Sequence, residues 1–347
     1  MAARAAGKSR SGGGAGDGSG GGTGDGAGPE TARVLVLGAD GRIGTLLRRF
    51  APAPPHWHPR WQARRPPPPI PGPATAAPDG VMSPGPATAA PDWVICDPLA
   101  DPAALARAAE GAAAVLCLAG VTPARAADSA DPEAALDANR ALARAALQAA
   151  ARGGADRVLL ASSAAVYGAR AGRLPEELAP APRSAYGRAK AAMEAEAAEL
   201  GAALGLRVCA LRIGNVAGAD AILGGWRPGF ELDVFADGRS PRRSYVGPRS
   251  LARILAALCL RADLPPALNL AAPGAVEMGA LLDAAGLGWT PRPAPPDAIP
   301  EVELDTGRLA ALVPLAPGLG QPAALVAEWR GSRPAQAGNT PAGDPPA

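Results

Sequence analysis

Arg33-Val-Leu-Val-Leu-Gly38-Ala-Asp-Gly41-Arg-Ile-Gly44 is the stretch that decides the fold. A short apolar run ends at a glycine, two more glycines follow at three-residue spacing, and a helical pattern then runs through Leu46, Leu47 and Phe50. The reading is strand, glycine-rich turn, helix. Such a turn presents backbone N–H groups and a helix N-terminus to a pyrophosphate, and the glycines permit close approach. Gly38, Asp40, Gly41, Arg42, Ile43 and Gly44 are therefore candidate cofactor-binding residues. Three glycines at such a junction also suit plain packing, so the rest of the chain must decide.

Beyond Trp93, short apolar runs alternate with helical patterns. Strands are expected at Trp93–Cys96, Val115–Leu118, Arg157–Ser162 and Arg207–Ile213, and helices at Pro132–Ala151 and Ser184–Leu204. This alternation implies an α/β protein with a Rossmann-type, doubly wound parallel sheet. The dinucleotide-binding domain is expected over 32–215. A small, irregular substrate-binding region is expected over 216–330, where glycine and proline rise. Residues 1–31 and 331–347 read as tails too poor in apolar residues to offset their chain entropy. Within the domain, 51–92 reads as a Pro-rich surface insertion, interrupted by Trp57–Arg65. It carries a duplication: Pro71-Gly-Pro-Ala-Thr-Ala-Ala-Pro-Asp79 recurs at Pro84–Asp92.

Composition excludes several classes. The formal net charge of the 347 residues is +2, with no basic run to suggest nucleic acid. No apolar run is long and clean enough to span a bilayer, and the N-terminus lacks the apolar segment of a secretory signal. A soluble, cytoplasmic protein is expected. Cys96, Cys117, Cys209 and Cys259 have no CxxC spacing and read as small buried hydrophobes. With His56 and His58 as the only histidines, no metal site is expected.

Tyr186-Gly-Arg-Ala-Lys190 supplies a phenol and an ammonium on one helix face. A nearby cation favours the phenolate, whose free pKa is ~10. Alone, this spacing equally describes a solvated face. Where a dinucleotide fold places an acid on the ribose 2′-hydroxyl, about 20 residues past the turn, this chain has Arg64 and Arg65. Arginine suits a 2′-phosphate and favours NADP(H); solvated loop charges are the alternative. Asp97 could contact the adenine end or cap the following helix. Leu118, Ala119 and Gly120 offer a small-residue floor beneath a cofactor.

The ordered set Gly38-x-x-Gly41-x-x-Gly44, Leu118-Ala-Gly120, Asn139, Ser162-Ser-Ala-Ala-Val-Tyr-Gly168, Tyr186-x-x-x-Lys190 and Leu211-Arg-Ile-Gly-Asn215-Val-Ala-Gly218 resembles the extended short-chain dehydrogenase/reductases, the NAD-dependent epimerase/dehydratase family. The resemblance implies catalytic roles for Tyr186 as general acid/base, for Lys190 in lowering its pKa and holding the nicotinamide ribose, for Ser163 on the reacting oxygen, and for Asn139 in ordering a relay water. It implies Asn215 and Arg243 on the substrate side, Arg243 gripping a diphosphate.

The chain also departs from the family. Ala164 and Ala165 stand where its dehydratases carry an acidic pair, which disfavours dehydration. Ser250 replaces an expected aspartate, which leaves Arg243 open as a plain surface charge, and the span from Gly218 to Arg243 is short. The expected function is hydride transfer on a sugar-like or nucleotide-sugar-like alcohol or ketone, as epimerase or reductase. A non-catalytic dinucleotide-binding redox sensor or assembly factor is the alternative. The expected partner is a small-molecule substrate, with a second copy of the chain as a candidate.

Overall fold

The computed structural model describes residues 32–51, 57–68 and 91–333. Residues 1–31, residues 334–347 and most of the duplicated Pro-rich segment lie outside the described residues. In chain order the elements begin β1 (Ala32–Leu37), α1 (Arg42–Phe50), β2 (Trp57–Ala63), β3 (Asp92–Ile95), α2 (Pro102–Ala109), β4 (Ala114–Cys117), α3 (Pro123–Ala127) and α4 (Pro132–Gly153). Then come β5 (Arg157–Ser163), a short 3-10 turn (Ala164–Tyr167), β6 (Gly172–Leu174), α5 (Ala185–Leu204), β7 (Arg207–Ile213), β8 (Asn215–Val216), β9 (Glu231–Val234), β10 (Arg242–Arg243), β11 (Tyr245–Val246) and α6 (Pro248–Cys259). The chain closes with β12 (Ala267–Leu270), β13 (Val276–Glu277), α7 (Met278–Ala284), β14 (Thr290–Pro293), β15 (Glu301–Leu304), α8 (Gly307–Leu312) and α9 (Pro322–Ser332).

Seven strands form one parallel sheet in the order β12-β7-β5-β4-β1-β2-β3. Strand order reverses between β1 and β4, the switch point where such sheets bind ligands at their carboxyl ends. Alternate residues of β1 divide the core. Val34 and Val36 pack with Leu47 of α1 and Leu251 and Leu255 of α6. Leu35 and Leu37 pack with Leu105 of α2, Leu147 of α4 and Met193 of α5 on the other face. The alanines of α4 let helices approach closely: a Cβ on Gly153 would lie 2.5 Å from the Ala109 carbonyl carbon.

Two expectations are corrected. Trp57–Ala63 belongs to the sheet as β2 and does not interrupt a surface loop. Its polar composition hides a strand with Trp57, Trp61, Gln62 and Ala63 buried. Pro59 is tolerated because β3 starts pairing one residue later, at Arg60↔Asp92. The boundary expected at residue 215 also moves. α6 and β12 come from beyond it, and β12 completes the Rossmann sheet beside β7. What remains on the substrate side is a four-stranded sheet in the order β13-β10-β15-β6 and two two-stranded pairs. α9 runs to Ser332, just past the expected edge of the C-terminal tail. Among the described residues no helix is long and apolar enough to cross a membrane. The four cysteines are unpaired and buried.

A buried polar network ties the two large sheets together. Arg212 of β7 meets Glu194 of α5 at 2.8 Å, with side chains 6% and 10% exposed. Arg212 Nη1 donates to the Tyr167 hydroxyl at 3.0 Å and to the Glu176 carbonyl at 3.0 Å. Tyr167 donates to Asn269 Oδ1 of β12 at 2.8 Å, and Asn269 Nδ2 donates to the carbonyls of Leu174 and Asp305. Removing one partner of a buried pair strands the other charge and typically costs about 3–5 kcal/mol. Arg212→Met should lower unfolding stability in urea by about that amount, and Arg212→Met with Glu194→Leu should recover most of the loss.

Candidate functional site

The glycine turn is built for close approach. Gly38 has φ +75°, and a Cβ there would lie 2.6 Å from the Ala119 amide nitrogen. On Gly44, which begins the packing of α1 on the turn, a Cβ would lie 2.6 Å from Ala39 Cα. Gln62, which sequence reasoning missed, pins the turn: its Oε1 accepts from Gly38 N at 3.0 Å, and its Nε2 donates to the Cys96 carbonyl at 2.7 Å. Arg64 and Arg65 follow β2 directly and are exposed. Asp97 accepts from the amides of Leu99 and Ala100, while Asp101 caps α2. Asp97 is therefore a turn residue and not the helix cap considered above.

α5 presents the candidate catalytic pair. The Ser184 side chain accepts from Gly187 N at 3.0 Å and starts the helix, placing Tyr186 in its first turn. Gly187 seats that turn on the segment after β5, since a Cβ there would lie 2.5 Å from the Ala165 carbonyl oxygen. Tyr186 and Lys190 then face one cavity of about 230 Å³, with Ser163, Asn139, Asn215, Leu118 and Gly120 among its lining residues. Arg42 and Ile43 of the glycine turn line it too. The small floor is required, because a Cβ on Gly120 would lie 2.7 Å from Asn139 Oδ1 and 3.5 Å from Lys190 Nζ. The close-approach glycine turn beside this cavity at the carboxyl ends of the sheet suits a dinucleotide's pyrophosphate.

Burial sets the electrostatics. It pushes the Tyr186 phenol above its ordinary value, against a hydrogen bond with Ser163 that lowers it. It pushes the Lys190 ammonium down to about 8, with Cys117 and Glu194 acting in the opposite sense. Lys190 Nζ donates to the Ala161 carbonyl at 2.7 Å and lies 5.9 Å from the Tyr186 ring centroid. Desolvation dominates the shift of the Tyr186 phenol, and the Ser163 hydrogen bond provides the opposing effect. The Asn139 side chain is also differently employed. It accepts from Val121 N and donates to the carbonyls of Val121 and Leu136, so it clamps the loop after β4 and has no free donor for a water.

A second cavity of about 270 Å³ adjoins the first through Ser163 and Asn215. Ala164, Ala165, Met278, Val302 and Arg243 also line it, and no carboxylate does. Arg243 is half-buried, and burial lowers its pKa. Its Nη1 donates only to the carbonyls of Arg242 and Pro300, whereas neighbouring Arg242 takes Glu301. Asn215 Nδ2 donates weakly to the Ser244 carbonyl at 3.4 Å. The structure thus brings together every predicted catalytic and substrate-side residue, and leaves Gly38, Asp40, Gly41, Gly44, Arg64, Asp97 and Ala119 outside the two cavities, with Asp40 and Gly41 on a neighbouring hollow. Glu194 and Arg212 were not foreseen. Glu194 could have been, since it follows Lys190 by one helical turn.

A search of curated protein sequences returns no match. Among solved structures, MoeE5 in complex with UDP-glucuronic acid and NAD is 22% identical, with 86% of this chain and 99% of that chain covered and a TM-score of 0.62. UDP-glucose 4-epimerase from Brucella ovis in complex with NAD is 21% identical over 85% and 96% of the two chains, with a TM-score of 0.65. TunA, an NAD-dependent NDP-hexosamine 5,6-dehydratase involved in tunicamycin biosynthesis, is 21% identical over 88% and 99%, with a TM-score of 0.64. At these identities the likeness speaks for the fold. The family model described as NAD dependent epimerase/dehydratase matches residues 34–225, more than half of the chain. With the glycine turn, the parallel sheet and the cavity in agreement with that match, the chain belongs to the NAD-dependent epimerase/dehydratase family.

Proposed function

We propose that the chain is an NAD(P)-dependent epimerase or reductase acting on a sugar or nucleotide-sugar alcohol or ketone. The carrying observation is that Tyr186, Lys190 and Ser163 line one cavity with residues of the glycine turn. Bound nicotinamide would supply or accept the hydride. Gly38, Gly41 and Gly44 let the turn approach the pyrophosphate, and Lys190 holds the nicotinamide ribose. Tyr186 exchanges the hydroxyl proton, and Ser163 orients both the phenol and the reacting oxygen. Ala164 and Ala165 move no protons, so dehydration is disfavoured.

The substrate side supports the nucleotide-sugar reading. Arg243 is a half-buried cation without a carboxylate partner among the described residues. Pro300, which accepts from it, also lines a hollow of about 710 Å³ with Phe235 and several prolines. Acid/base residues, a cation and an apolar hollow thus adjoin in turn, which supports sugar, diphosphate and base. For the cofactor, Arg64 and Arg65 at the carboxyl end of β2 favour a 2′-phosphate, although the structural relatives named above were solved with NAD in two cases.

Tyr186→Phe should lower kcat by about 10²-fold or more, with NADH affinity retained in fluorescence titration. Intact activity would instead favour the non-catalytic dinucleotide sensor. Arg64→Ala with Arg65→Ala should weaken NADPH by about tenfold and NADH by less than about threefold; equal losses would remove the case for NADP(H). Lys190 also gives a pH signature. Its folded value of about 8 lies below the ordinary 10.5, so between these values the unfolded chain binds the extra proton. Stability contributed at this site therefore rises with pH across that window. Relative to Lys190→Met, the wild-type urea midpoint should climb from pH 8 to 10.

A further inference from the structure

The loop from Ala217 to Gly224 lines the cavity of Tyr186 and a neighbouring hollow of about 480 Å³ beside Asp40, Gly41 and Arg42. One carboxylate organises it. Asp220 Oδ1 accepts from Gly218 N at 3.0 Å and Gly224 N at 3.4 Å. Asp220 Oδ2 accepts from Ile222 N at 3.2 Å, Leu223 N at 3.4 Å and the Tyr245 hydroxyl at 3.1 Å. Donors to a charged acceptor make such a cluster stiff.

The loop is also braced from behind. Gly218 has φ +84°, and a Cβ there would fall on the indole ring of Trp329 in α9. α9 is tied to α1, since Arg49 Nη1 donates to the Ser332 carbonyl at 2.9 Å. Arg42 Nη1 reaches the Ala219 carbonyl at 3.5 Å. The helix after the glycine turn, the loop and α9 are therefore joined to one another beside that cavity.

We infer that Asp220 is a positioning residue that presets this wall for the nicotinamide half of the dinucleotide, with Trp329 as its backing. The inference rests on the reading that the cavity takes NAD(P). A wall already ordered loses little freedom on binding, so its pre-organisation appears as affinity. The side chain of Asp220 has spent its acceptors on the loop, so it acts through the loop's shape and not as a proton carrier.

The test compares full-length Asp220→Ala with wild type by calorimetry, using NADH and adenosine as probes. The loop lies beside Tyr186, Lys190 and the glycine turn, so a probe without phosphates or nicotinamide should not sense it. NADH affinity should fall by about tenfold, with adenosine affinity unchanged within about twofold. Unchanged NADH affinity, or equal losses for both probes, would overturn the inference. If Asp220→Ala does not fold, Tyr245→Phe removes one of the donors and decides instead, with an expected loss for NADH of about threefold and none for adenosine. Wild-type protein that binds adenosine and NADH equally well also defeats the inference. If it binds neither, the dinucleotide reading itself falls.

Discussion

The contact on which the site depends is the buried pair of Glu194 and Arg212, 2.8 Å apart between α5 and β7. Burying either charge alone is expensive. Together they are satisfied by Ser162, Tyr167 and the Glu176 carbonyl, which favours this rotation of the helix against the sheet. Glu194 lies one turn beyond Lys190, and Ser162 precedes Ser163. Fixing this pair therefore fixes Tyr186, Lys190 and Ser163 relative to one another. Such pairs can specify a geometry even where an apolar replacement would be equally stable.

The same network explains how a substrate-side region with little regular structure is held in place. Tyr167 and Asn269 carry the hydrogen bonds from Arg212 to the carbonyls of Leu174 and Asp305, at the ends of β6 and β15. β15 pairs with β10, which holds Arg243. The candidate substrate cation is thus positioned through a continuous chain of buried bonds that begins behind the tyrosine.

Much of this was legible in the sequence, and the exceptions have physical causes. The glycine turn and the buried strands announce themselves because close approach demands glycine and a two-faced sheet demands apolar runs. β2 was not legible. Trp57-His-Pro-Arg-Trp-Gln-Ala63 reads as polar and Pro-broken, yet Gln62 is buried because it bonds the turn, and Arg60 is partly buried because it reaches Asp92 and the Ala108 carbonyl. The return of β12 was hidden because four residues after α6 and a Pro-Pro turn carry no signal of which strand they will join. Asn139 shows a subtler limit. Its position was readable, but whether its amide faces a water or a loop depends on Val121, a contact that no spacing encodes.

Burial, more than charge pairing, governs the reactive groups. It raises the phenol of Tyr186 and lowers the ammonium of Lys190, so both are pushed toward their neutral forms in the same small space. The ammonium falls to about 8 while the phenol rises above its ordinary value, so Tyr186 is held as the protonated partner and can donate to the reacting oxygen. The adjoining cavity adds Arg243 and a wall that includes Ala164, Ala165, Met278 and Val302, and its lining holds no carboxylate. Asp220, at the rim of the first cavity, has committed both oxygens to its loop and Tyr245. Eliminating water needs an acid and a base at two different carbons, whereas hydride transfer needs one proton carrier at one oxygen. A site with one phenol and no free carboxylate among its described lining residues supports the proposed hydride transfer.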